Sequence, residues 1–211
     1  MNTATITDWI TAIGTLITAL SVVFAVSQVL LLKKQIKDDH ERSRREKSVD
    51  LLANWAQELD QKSSITRKFA ELLNEENLRC IYNQESFVIP DKPEKNKKLY
   101  AACLDLDLEH ISTDNNQIII PESHSAQIRW QLIKYLNNLE SVISAWAYNI
   151  ADRELIEDEF SYLFTDQGAG SALKKFRVLT GGAKSYPSIE AFELKMNEKT
   201  QIKIREKYKL G

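Results

Sequence analysis

The acid-rich run from Leu104 to His110, LDLDLEH, is where metal chemistry would be sought first. Asp105, Asp107, Glu109 and His110 offer carboxylate oxygens and an imidazole. On a helix, however, side chains two positions apart diverge. On a strand they share a face, but a metal would still need ligands from a second segment, and none is identifiable. His40, His110 and His124 are scattered and have no ligand spacing, so surface or capping roles are expected. Glu157, Asp158 and Glu159 are consecutive and point in different directions. Cys80 and Cys103 form no short-spaced pair and read as free thiols in a reducing compartment.

Phosphate chemistry fares no better. The segments Gly168 to Ser171 (GAGS) and Thr180 to Ser185 (TGGAKS) contain glycines, but neither has the spacing of a phosphate loop or follows a strand. Walker A, GxGxxG, HExxH and GxSxG patterns are absent. No enzyme, cofactor or metal is therefore expected. The net charge is −2, and no aromatic residues interleave with a basic patch, so a nucleic-acid partner is not expected either. Trp130, Trp146 and Tyr148 offer stacking surfaces, but Trp146 continues an apolar helical stripe and reads as core.

The element that organises the chain is Trp9 to Leu32, WITAIGTLITALSVVFAVSQVLLL. It spans 24 residues without a charged side chain. That exceeds the roughly 20 residues a helix needs to cross the hydrocarbon core. A cleaved signal peptide is disfavoured: no Lys or Arg precedes Lys33, the apolar run exceeds an h-region, and a basic cluster follows it. The sequence divides into a short external N-terminus (1–8), a transmembrane helix (9–32), a charged juxtamembrane helix (33–48) and a cytosolic helical domain (49–211). Thr7 or Asp8 is expected to cap the first helix. Lys33, Lys34, Lys37, Arg42, Arg44, Arg45 and Lys47 follow the span and form a basic cluster that can face anionic lipid. The positive-inside bias places the N-terminus outside and the C-terminal domain in the cytoplasm, at the inner (cytoplasmic) membrane. Within the span, Thr11, Gly14, Thr18, Ser21, Ala25 and Gln28 recur at alternating spacings of three and four. Small and hydroxylated residues on one face allow close helix packing in lipid. The expectation is a homo-oligomer or a membrane partner protein. Two alternatives are Ser and Thr hydroxyls bonded to their own helix, and several copies lining a pore.

Beyond the span, Val49, Leu52, Ala53, Ala56 and Leu59 recur at helical steps, with Trp55 off that stripe. Ser63 or Ser64 is expected to cap a following turn. Phe87 to Pro90 and Ile118 to Pro121 are apolar pieces ending in proline and read as extended, with no sheet assigned. Asp91 to Lys98 reads as a polar loop, and Leu99 to Leu108 as helix. Glu122 to Ile150 is the strongest soluble helix: Ile128, Leu132, Tyr135, Leu136, Leu139, Val142, Ile143 and Trp146 form one apolar face. Asp152 can cap the next helix, so the two read as an antiparallel hairpin at the centre of the domain. Gln167 to Gly170 should end that second helix. A short helix (Ser171 to Leu179) and a last one after Tyr186-Pro187-Ser188, with a basic end, complete the chain. The fold class is all-α.

Leu132 to Glu159, LIKYLNNLESVISAWAYNIADRELIEDE, resembles the LN-x-x-E helix followed by a D-x-x-L/I helix of a bacterial family of uncharacterised, often membrane-anchored helical proteins. The matching residues are Leu136, Asn137, Glu140, Asp152, Leu155 and Ile156. Ile120-Pro121 and Tyr186-Pro187 also fit, whereas Asn149-Ile150-Ala151 stands where the family often has glycine. The resemblance implies a helical cytosolic domain behind one transmembrane helix, no established reaction, and a place for some members near bacterial phage-defence genes. Asn137, Glu140 and Asp152 are the expected clasp of the hairpin. Together these readings describe a single-pass protein acting through protein–protein interaction and transmembrane self-association. The alternatives are a membrane-disrupting or pore-forming effector and a membrane-tethered enzyme without a readable motif. The cytosolic partner is not identifiable.

Overall fold

A computed structural model describes residues 5–59, 61–91, 95–114, 116–164 and 171–208. Among these the chain is mainly α-helical, with one small sheet. It separates into two units, Met1–Arg44 and Arg45–Gly211.

The first unit is carried by helix α1 (Ile6–Glu58), which begins in it and runs on past Arg44. The helix start is closed by Asp8, whose Oδ2 accepts from both the Thr5 backbone N–H (2.9 Å) and the Thr5 hydroxyl (2.7 Å). Thr7 and Asp8, expected to cap the helix, therefore lie inside its first turn, and Asp8 bonds back to Thr5 ahead of it. The most apolar 18-residue stretch of α1 has a mean hydropathy of 2.2, and none of it is buried. Among the described residues, α1 is the one helix long and apolar enough to cross a membrane.

In the second unit the tail of α1 buries Ser48 and Trp55. This differs from the expected stripe: Val49, Ala53 and Ala56 are exposed, while Leu52 and Leu59 are half-buried. Two overlapping apolar periodicities run along this segment, and the larger ring decides between them. The Trp55 indole sits edge-on to Tyr135 (5.3 Å between centroids) and Phe160 (5.2 Å). Burying that ring removes far more apolar area from water than Val49 or Ala53 could.

Helices α2 (Gln61–Ala70) and α3 (Glu75–Asn83) follow. Ser63 and Ser64 lie inside α2 rather than capping a turn. The cap that does form is Asn74, whose side chain accepts from Asn77 N at 2.8 Å. Strands β1 (Phe87–Pro90), β2 (Thr113–Asp114) and β3 (Gln117–Ile120) form an antiparallel sheet in the order β1-β3-β2. The two apolar–proline pieces thus pair directly, with Phe87 opposite Ile120 and Ile89 opposite Ile118. All four of these side chains are buried, whereas Val88 and Ile119 face out. The free edge of β1 is blunted. Asn77 Nδ2 donates to Val88 O and Asn96 Nδ2 to Pro90 O, and Pro90 has no N–H to offer.

Helix α4 is Lys95–Leu104, so the expected polar loop is helical from Lys95 and the expected Leu99–Leu108 helix stops four residues early. Asp105 adopts a left-handed conformation (φ 53°) and Leu106 N–H bonds back to Ala101 O, a tight C-terminal closure. The residues after it form a short 3₁₀ turn, Leu108–His110.

Helix α5 (Glu122–Ala147) is the centre of this unit and packs on α8 (Pro187–Tyr208), α2 and α3. Its expected apolar face is buried throughout. It touches α6 (Arg153–Phe160) much less than it touches α8. Asn149 takes the left-handed position (φ 58°) between α5 and α6, with Ile150 N–H returning to Ala145 O. Asparagine tolerates that conformation, which accounts for a turn without glycine. Helix α7 (Ser171–Leu179) precedes the TGGAKS segment, a left-handed turn at Gly181 (φ 111°) leading into the 3₁₀ turn Gly182–Lys184. A Cβ at Gly181 would lie 2.5 Å from Ser185 Oγ, so the glycine serves the turn. Residues 167–170, expected to end α6, lie outside the described residues.

Candidate functional site

Three residue sets were expected to carry function, and each has a definite place. The α1 stripe lies on an exposed helix. Thr11, Thr18 and Ser21 each donate to the carbonyl four residues earlier, at 2.8–2.9 Å, as do Thr15 and Ser27 off the stripe. The hydroxyls are therefore satisfied within one helix, while their oxygens keep lone pairs for a neighbour. A Cβ added at Gly14 would meet nothing within 4 Å, so the chain's own packing does not require glycine there. Ala25 and Gln28 are also exposed.

The basic set is divided. Lys33, Lys34, Lys37, Arg42 and Lys47 are exposed, and Lys37 pairs with Glu41 at 3.7 Å. Arg44 is half-buried. Arg45 turns to the protein, with Nε 3.3 Å from Asp152 Oδ2.

The third set binds different partners from those expected of a hairpin clasp. Glu140 crosses to the start of α8: Oε1 accepts from Ser188 N and Oε2 from Ile189 N, both at 2.9 Å. Those amides belong to the first turn, where no intrahelical acceptor exists. Pro187 ahead of them has no N–H, as suits the first helical position. Asn137 Oδ1 accepts from the Tyr186 hydroxyl at 3.3 Å, and Ser144 and Ser188 share a hydrogen bond at 2.9 Å. The LN-x-x-E and Tyr-Pro features, 48 and 49 residues apart along the chain, are thus one contact. Asp152 serves the α5–α6 turn instead. Its Oδ1 accepts from Glu154 N and Leu155 N, its Oδ2 faces Arg45, and its own N–H donates to buried Ser48 Oγ at 2.7 Å.

Several of the remaining chemical groups have partners within the fold. Asp105 pairs with Lys62, and Asp107 with His110. The Tyr100 hydroxyl, pushed up by burial, bonds His124 Nδ1. Burial pushes the Cys103 thiol up to about 11 despite a hydrogen bond shared with Thr66, which leaves it a poor nucleophile at neutral pH. Trp146 Nε1 donates to Glu157 Oε1 at 2.9 Å, while Lys199 pairs with Oε2 of the same carboxylate. Trp146 is therefore core, whereas Trp130 is exposed.

One charged cluster joins α7 to α8. Arg177 of α7 is buried and contacts Glu193 and Glu190 of α8, the latter at 2.9 Å, while Lys174 reaches Glu193 at 2.5 Å. Burial alone would raise the Glu193 carboxyl, but Lys174 and Arg177 outweigh it and hold it below the ordinary glutamate value. Lys174/Arg177 and Glu190/Glu193 are each three apart and so share a helix face. That spacing was a readable signal. What the sequence did not say is that the two faces meet.

Comparison with known protein families, with curated proteins and with solved structures found no match to this chain.

Proposed function

We propose that this chain is a single-pass protein of the inner, cytoplasmic membrane that works by protein–protein interaction and self-association, not by catalysis. Its N-terminus lies outside and residues 49–211 form a helical domain in the cytoplasm. The observation carrying this reading is the uncharged run Trp9 to Leu32, whose apolar side chains are exposed all round the helix. In water such a surface would be strongly unfavourable, at roughly 25 cal/mol for each Å² of apolar area, and lipid removes that cost. The basic residues following Leu32 set the direction. Helix association through Thr11, Gly14, Thr18, Ser21, Ala25 and Gln28 is supported by their common face and small size. Lys33, Lys34 and Lys37 come first after the span, where they can meet anionic headgroups. The resemblance to the membrane-anchored helical family adds a role in bacterial phage defence to this proposal.

Single cysteines placed along the span and oxidised in native membranes test it, with the unsubstituted chain as background for Cys80 and Cys103. Crosslinked dimer at positions 14, 18 and 21 should exceed that at 16 and 23. Equal yields on both faces would remove the association claim. Release of the chain by alkaline carbonate would remove the membrane span itself.

A further inference from the structure

Successive contacts carry α8 past the C-terminal end of α5. Ser188 bonds Ser144, Phe192 stands edge-on to Trp146 with 4.9 Å between centroids, and Lys199 reaches Glu157 of α6. Beyond Lys199 the helix continues to Tyr208, and every side chain described there is exposed. A helix end without packing is marginal in water. The bases leading up to this segment are paired, Lys195 with Glu198 at 2.7 Å and Lys199 with Glu157. After them the sequence places Lys203, Arg205, Lys207 and Lys209 against Glu206 alone. The helix dipole accounts for cations in the last turn only, and Lys203 lies ahead of it. The chain enters this unit at the same end. Arg45 and Ser48 both meet Asp152 at the α5–α6 turn, where Tyr148 and Ile150 are exposed.

We propose that the end of α8, from Lys203 onward, docks on the anionic lipid headgroups of the inner leaflet and gives the cytosolic unit a second attachment to the membrane. This inference rests on the membrane span proposed above. Arg45 follows Leu32 by 13 residues, about 20 Å when helical, so the end of the unit that carries Asp152 is the tethered one. The helix beyond Lys199 spans about 14 Å to Tyr208, and lysine side chains extend that reach. Charge selects the occupant. An anionic bilayer offers many phosphates without a fixed geometry, which suits cations strung along one helix and not gathered in a pocket. Tyr148, at the same end, is a residue type favoured at the membrane–water boundary. Exposed Glu154, Asp158 and Glu159 of α6 oppose the attraction, so α8 carries it and not the whole end.

The test uses the full chain with labelled Ile methyl groups in two kinds of nanodisc, phosphatidylcholine alone and phosphatidylcholine mixed with phosphatidylglycerol. A trace of lipid carrying gadolinium on its headgroup broadens methyl signals near the surface. Ile202, exposed on the segment, should broaden severalfold more in the mixed discs. That excess should vanish at about 1 M salt, where the screening length falls to about 3 Å. Lys203→Gln, Arg205→Gln and Lys207→Gln combined should also remove it, while the buried Ile128 and Ile143 keep their signals and so report an intact fold. Equal broadening of Ile202 in the two lipids overturns the proposal. So does an excess that survives high salt or the triple variant. A nitroxide on the lipid acyl chain reads the span separately, through Ile13 and Ile17. If these broaden and Ile202 shows no lipid dependence, this proposal alone fails. If they do not broaden, the span fails and this proposal fails with it.

Discussion

Glu140 shows how much one carboxylate can organise. Both its oxygens are used at the first turn of α8, where the amides of Ser188 and Ile189 have no other acceptor. Glu140→Ala should destabilise the chain by about 1–3 kcal/mol, and Glu140→Gln, which keeps one acceptor, by less. Urea unfolding followed by tryptophan fluorescence reads this, and a loss below about 0.5 kcal/mol in Glu140→Ala would show the contact to be dispensable. Glu193 makes a different prediction, in pH. Its carboxyl is held below the ordinary value, so the folded state favours the ionised form. The stability it contributes is fully present above the ordinary glutamate pKa, near 4.3, and is lost as pH falls through the lower folded value. Glu193→Gln should therefore be less stable than the natural chain at pH 7. The difference should shrink as the pH is lowered from about 5 to about 3. A difference that stays constant over that interval would mean that ionisation of Glu193 does not matter.

At the scale of elements, helix ends govern the second unit. Helix α6 has a local cap in Asp152, readable from the sequence because cap and amides are neighbours. Helix α8 borrows Glu140, and α7 borrows Glu71, whose Oε2 accepts from Ala172 N at 3.2 Å. Those donors and acceptors are 48 and 101 residues apart in the chain, so local sequence could not reveal them. The end of α4 has a local cause: Asp105 enters the left-handed region and stops the helix four residues before the expected end at Leu108. The face of α1 is a third case. Trp55→Ala should cost about 3–5 kcal/mol, because the ring fills the space between Tyr135 and Phe160. Val49→Ser, on the exposed side, should stay within about 0.5 kcal/mol. Comparable losses in the two variants would restore the stripe expected from periodicity.

For the whole molecule, the charge pattern around the apolar run Trp9 to Leu32 is the argument for the proposed direction. A cytoplasmic reporter fused after Gly211 should be active in the natural chain. Exchanging Lys33, Lys34 and Lys37 for Glu, together with Thr5→Lys and Thr7→Lys, should move a substantial fraction of that reporter to the outer side. A reporter already outside in the natural chain would overturn the proposed topology, and one unmoved by the exchange would show that these charges do not set it.

The sequence by itself determined the properties that depend on composition and local order. These are the mainly helical class, the long apolar helix and its uncharged length, the buried face of α5, and the cap at Asp152. Each is set by residues within a few turns of one another, where periodicity and hydrogen-bond chemistry act directly. Only the tertiary structure decided which faces meet. It paired Phe87–Pro90 with Gln117–Ile120, turned Trp55 inward, joined Asn137 and Glu140 to Tyr186 and the start of α8, and set Arg177 against Glu190 and Glu193. These contacts link residues 13 or more positions apart, most of them tens of positions apart. They arise from competition among several plausible partners for the same buried area, and a linear pattern does not encode which partner wins.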